Sequence, residues 1–338
     1  MLQTDADLKT LIQQGDHLQV LRFLRVHQLR KPSVTLEHAQ ALLGPDLDQT
    51  NNTRIDALSR LAILEQVCLA AVDNQQPDLA NLALLRLKEL SPESSATAAP
   101  GTKSSTMKDS ARFRCLLGRC LEATEDYEGA KRLYNDLLKE NPANLMALKR
   151  LYCVLRAQQQ QQQSKEETTD SSPSITSEMV MEALNNYLQQ NYSDIAGWYE
   201  LAHYRLDALG DYKGAAYALE EVLLSVPSDT KIHVELAECY ATVGGTDNLL
   251  LARKHFAQAL ELNSTSKRAQ FGLIASANAY LCEMEASNKK TKEDVQAEHE
   301  MAVAHELIKY GAEQVLKSYK GSKLYPAVQA LMKEYTEA

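Results

Sequence analysis

Residues 111–144 read ARFRCLLGRCLEATEDYEGAKRLYNDLLKENPAN, and these 34 residues decide the fold. In the first half, apolar residues recur at helical spacing around Gly118, with Leu121 one turn on. The second half repeats the pattern around Ala130, with Tyr134 and Leu137 on the same face. Asp126-Tyr127 marks the turn between them and Pro142 ends the second helix. Two helices that cross closely need small side chains at the crossing and a large residue one turn away to fill the gap to the neighbour. Gly118 and Ala130 meet the first demand and Tyr134 the second. A hairpin this short cannot bury its own apolar face, so the chain should carry further copies.

It does. Residues 61–94 repeat the spacing without a gap, placing Cys68 and Ala80 at the crossings, Leu84 and Leu87 on the apolar face, and Pro92 at the end. Residues 195–228 carry Trp198, Leu201 and Ala202, then Ala215, Leu219 and Pro227, with one extra residue before the Gly210-Asp211-Tyr212 turn. Residues 230–264 carry Leu236, Ala237 and Tyr240, then three additional residues around Gly245, then Ala252, Phe256 and Ala259. Two further repeats, 145–193 and 265–321, are interrupted by polar inserts. The period predicts an all-α chain: a right-handed tetratricopeptide-repeat (TPR) α-solenoid of about six helical hairpins. Residues 1–60 read as an amino-terminal helical cap and 322–338 as a carboxyl-terminal capping helix, because end repeats need a polar outer face. The glutamine run Gln158 to Gln163 and the Ser/Thr-rich tract after it read as a disordered insert over 158–176.

Composition narrows the function classes. A hydrophobic share of 44% is too apolar for a disordered chain, and 13 Gly with 9 Pro are too few turn formers for an all-β one. A net charge of −9 argues against nucleic acid, which is held by releasing counterions from phosphates. Six cysteines without a CxxC pair suit reduced thiols of the cytosol, and the amino terminus lacks a signal core. No apolar stretch approaches about 20 residues, so no direct membrane span is expected.

No catalytic site, metal site or cofactor is expected. His299 and His305, with Glu300 between them, are six apart, where two zinc ligands on one helix face sit four apart. Cys115 and Cys120 lack local third and fourth ligands and read as small core fillers. Gly244-Gly245 lacks the Gly-Lys-Ser/Thr of a phosphate loop, and no GxSxG elbow occurs. What remains is a groove. Arg112, Arg119, Lys149 and Arg156 would project from consecutive first helices and could receive an acidic peptide, with Tyr199 and His203 continuing that face. The bland alternative makes the basic residues solvated positions, or partners of local acids such as Glu122.

The segment YLQQNYSDIAGWYELAHYRLDALGDYKGAAYALEEVLLSVP at 187–227, with LARKHFAQALELN at 251–263 and RAQFGL at 268–273, resembles the family of ER membrane protein complex subunit 2. The resemblance covers about residues 55–320, is loose over the first 50, and points to a fungal-type member. It implies a non-catalytic scaffold, peripheral on the cytosolic side of the endoplasmic reticulum membrane, in a hetero-oligomer that inserts tail-anchored and multi-pass proteins. The implied partners are cytosolic parts of membrane-embedded subunits and a small soluble subunit. The competing class is a co-chaperone adaptor for an acidic carboxyl-terminal peptide; it would need Lys and Asn where Cys115 and Arg119 stand.

Overall fold

The computed structural model describes residues 2–48, 55–90, 110–164, 175–286 and 295–337. The chain forms two compact bodies, Met1–Gln190 and Asn191–Ala338. The amino-terminal body begins with α1 (Leu2–Gln14), α2 (His17–Val26) and α3 (Pro32–Leu43). Three hairpins follow: α4 (Ala57–Asp73) with α5 (Pro77–Leu90), α6 (Ala111–Ala123) with α7 (Tyr127–Glu140), and α8 (Leu145–Ser164) with α9 (Ser177–Gln190). In the carboxyl-terminal body α10 (Ile195–Tyr204) runs through a π-helical turn, Arg205–Leu209, and pairs with α11 (Tyr212–Ser225). There α12 (Thr230–Val243) pairs with α13 (Thr246–Leu262) and α14 (Lys267–Ala286) with α15 (Val295–Tyr319), and α16 (Tyr325–Glu337) ends the chain. Among the described residues each body thus holds three helical hairpins of TPR type. We call the first and second helix of each hairpin A and B.

Small residues sit where the helices cross. Cys68, Ala80, Ala130, Ala202, Ala215, Ala237 and Ala252 are all fully buried. A Cβ on Gly118 would lie 2.5 Å from the ring of Tyr134, and one on Gly272 2.3 Å from the ring of Phe256. Both distances are far inside van der Waals contact, so the missing side chain is what admits the aromatic ring. Tyr134 and Phe256 are themselves buried and anchor separate apolar clusters, one with Ala130, Leu137 and Val154, the other with Val234, Ala252 and Leu273. A third cluster joins the amino-terminal cap to the first hairpin through Leu21, Leu43, Leu64 and Leu87. A fourth fastens α14 to α15 and α16 through Ile274, Ala304, Ile308 and Met332.

The irregular repeat lengths have local explanations. The single extra residue of repeat 195–228 is absorbed by the π-turn, which widens one helical turn by one residue. Gly210, at φ 63°, then reverses the chain in the left-handed region that glycine enters at little cost. The three extra residues of repeat 230–264 lengthen helix B: α13 has 17 residues where α7 and α11 have 14. Several of these helices start on an acid: Asp56, Asp126, Asp211 and Asp229 each accept a bond from a backbone N–H of the first turn.

One expectation is corrected. The glutamine run is not loop: α8 continues through it to Ser164. Gln158 and Gln159 are buried, Gln158 Nε2 donating to Glu128 Oε1 at 2.7 Å and Gln159 Nε2 to Ser177 Oγ at 2.9 Å. Gln162 Oε1 accepts from the backbone N–H of Ile175 at 2.8 Å. Polar composition argued for loop, whereas amides can be buried in a helix where they find partners on neighbouring elements. The rest of that tract, 165–174, lies outside the described residues, as does 91–109.

Candidate functional site

A helices of successive hairpins touch through charged side chains, and these set the chemistry of the A face. In the amino-terminal body the acid stands on one A helix and the arginine on the next. Glu65 of α4 binds both nitrogens of the Arg112 fork on α6. Asp73 at the end of α4 accepts from Arg119 Nη2 at 3.3 Å, and from Arg30 of the α2–α3 turn at 2.6 Å. Glu122 of α6 takes the fork of Arg150 on α8 and the hydroxyl of Tyr134 at 2.6 Å. Bidentate forks of this kind fix direction as well as charge.

The carboxyl-terminal body uses a mixed set. Glu238 of α12 holds Arg268 of α14 in a bidentate pair. Glu235 of α12 is only 8% exposed, and its Oε1 accepts from Tyr199 Oη on α10 at 3.1 Å. His203 Nε2 stands 3.6 Å from the other oxygen, edge-on to the Tyr199 ring. The ammonium of Lys231 lies 5.0 Å above that ring. Burial pushes the Tyr199 phenol above its ordinary value. Arg253 of α13, 6% exposed, reaches Glu300 of α15, so the acid between the two spaced histidines is a structural partner.

The sequence-predicted groove residues therefore separate. Arg112 and Arg119 come together on the walls of one cleft, with Glu65, Leu69, Leu116 and Met146. Lys149 and Arg156 do not line that cleft. Lys149 lies over the ring of Tyr187 at 4.9 Å and Arg156 donates to Tyr152 Oη at 2.9 Å. Tyr199 and His203 belong to the carboxyl-terminal body and converge on Glu235. Sequence reasoning missed Arg150, one residue from Lys149, which takes the acid that had been offered to its neighbours. It also missed Arg25, Arg30 and Lys31, which reach α4 from the amino-terminal cap. Of the cysteines, Cys120 meets Cys68 at 3.5 Å, both buried, and that contact together with burial pushes the Cys68 thiol up.

No family model matches the chain. Individual proteins do. ER membrane protein complex subunit 2-A of Xenopus laevis is 34% identical over 233 residues, which cover 69% of this chain and 67% of that protein. ER membrane protein complex subunit 2 of Dictyostelium discoideum is 25% identical over 248 residues, 73% of this chain and 65% of the relative. The TPR repeat protein oca3 of Schizosaccharomyces pombe is 26% identical over 166 residues, 48% of this chain and 53% of that protein. The name of the last relative agrees with the hairpins described above, and the extent of the first match is decisive: the chain belongs to the ER membrane protein complex subunit 2 family.

Proposed function

We propose that this chain is a non-catalytic scaffold subunit of the ER membrane protein complex, peripheral on the cytosolic face of the endoplasmic reticulum. In this reading it supports energy-independent insertion of tail-anchored and multi-pass proteins by holding the cytosolic parts of membrane-embedded subunits and a small soluble subunit. The 34% identity to the Xenopus laevis subunit over two thirds of both chains carries the reading. Two physical features support it. Among the described residues no helix is long and apolar enough to cross a membrane, so attachment would run through other proteins. The A faces carry Arg112 and Arg119 on the walls of one cleft in the amino-terminal body and the half-buried Tyr199 and His203 in the other, mixed polar and aromatic surfaces of the kind that suit protein contacts.

Affinity purification of the tagged chain in mild detergent tests the proposal. The expected result is co-purification of several integral membrane proteins in fixed ratio. A monomer free of membrane proteins, or a preparation holding only cytosolic chaperones, refutes it, and the latter favours a co-chaperone adaptor.

A further inference from the structure

Three clefts meet on α4. The first, about 420 Å³, lies between α2, the α2–α3 turn and α4. The second, about 370 Å³, separates α4 from the start of α6, and the third, about 420 Å³, runs from α4 across α6 to the start of α8. They share walls. Arg25 borders the first and second, Glu65 and Arg112 the second and third, and Arg119 the first and third.

The charge of these walls inverts that of the chain. Among the described residues that line them, the arginines Arg25, Arg30, Arg112 and Arg119 stand beside two carboxylates, Glu65 and Asp73, on a protein whose net charge is −9. Internal pairing cannot neutralise the excess, because Asp73 is shared between Arg30 and Arg119. Arg112 keeps its side chain 78% exposed while bound to Glu65, and Arg30 is 72% exposed. Arg119 is largely buried, and its Nε has no hydrogen-bond partner. Between the cations the floor is apolar, formed by Leu61, Leu69 and Leu116, with Met146 on the rim at 55% exposure.

We infer that this surface docks an acidic, amphipathic segment of a protein partner, whose carboxylates pair with the exposed arginines while its large apolar side chains enter the clefts. The inference rests on the scaffold reading and supplies the partner chemistry which that reading leaves open. These cations are arginines, whose planar forks donate to carboxylates bidentately and tolerate partial desolvation. Separate concave clefts with apolar floors favour discrete side chains over the flat headgroup layer of an anionic membrane.

Photo-crosslinking in the intact complex tests this. Benzoylphenylalanine replaces Met146 or Leu58, both exposed on cleft rims. The complex is purified in mild detergent and illuminated, and the captured segment is sequenced by mass spectrometry. We expect a segment of another protein in which Asp or Glu alternates with large apolar residues. Arg25→Glu with Arg30→Glu should cut that crosslink about tenfold, as loss of close interfacial charge pairs does, with unchanged circular dichroism. Lys254→Glu, on an exposed position of α13, should leave it intact. Capture of a neutral or basic segment, a lipid adduct, no protein crosslink at either position, or a yield indifferent to the double reversal overturns the inference. If membrane proteins still co-purify in those cases, the scaffold reading survives; if none do, the scaffold reading has failed first.

Discussion

The two bodies build three hairpins each on one packing rule, yet they spend their irregularity in different places. The amino-terminal body keeps the 34-residue period in its first two repeats and carries strain in its turns: Gln75 and Glu125 adopt φ of 56° and 61°, a region unfavourable to residues with a Cβ. The carboxyl-terminal body breaks the period in all three repeats, but puts Gly210 in the corresponding turn and absorbs the extra residues of the first two as a π-turn and a longer helix B. One pair from each body also differs in burial. Glu122 and Arg150 are 12% and 28% exposed, whereas Glu238 and Arg268 are 36% and 61% exposed. A repeat thus tolerates altered length wherever the crossing residues and the large filler survive; the period itself is secondary.

If that is right, the aromatic fillers should matter equally in both bodies. Tyr134→Ala and Phe256→Ala should each cost about 3–5 kcal/mol in chemical denaturation, as truncations of buried aromatics do. A cost below about 1 kcal/mol at one of them would break the equivalence. These two ion pairs should separate by burial. Glu122→Ala, which strands a mostly buried guanidinium, should cost about 3 kcal/mol, against less than about 1 kcal/mol for Glu238→Ala in its exposed pair. Equal losses would show that burial does not set the difference. The smallest effect concerns the turns: Glu125→Gly should stabilise by about 0.5–1 kcal/mol, while Gly210→Ala should destabilise by about the same amount. Destabilisation by Glu125→Gly would mean the left-handed turn is not a strained one.

Much of this was legible in the sequence. Gly118, Ala130, Tyr134 and Pro142 state the hairpin directly, because size at a crossing and a helix terminator are local properties. The site was legible only in part. Arg112 and Arg119 were visible by repeat offset, but whether Lys149 or Arg150 faces the neighbouring A helix depends on a rotation of about 100° per residue that composition does not show. Arg30 meets Asp73 across 43 positions and Arg25 lies on the cap, so the clefts exist only once the cap has packed on α4. The glutamine run failed for a related reason, since its helix is secured by Glu128 and Ser177 on other elements.

The central claim is that the A faces of these hairpins hold partner proteins. Hydrogen–deuterium exchange, comparing the isolated chain with the chain inside the detergent-purified complex, addresses it most directly. The account predicts slower exchange in the complex on A helices of both bodies, led by α4 and α6 and including α10 and α12, with the B helices little changed. Unchanged exchange on all four of those helices, or protection confined to the chain ends, would contradict it.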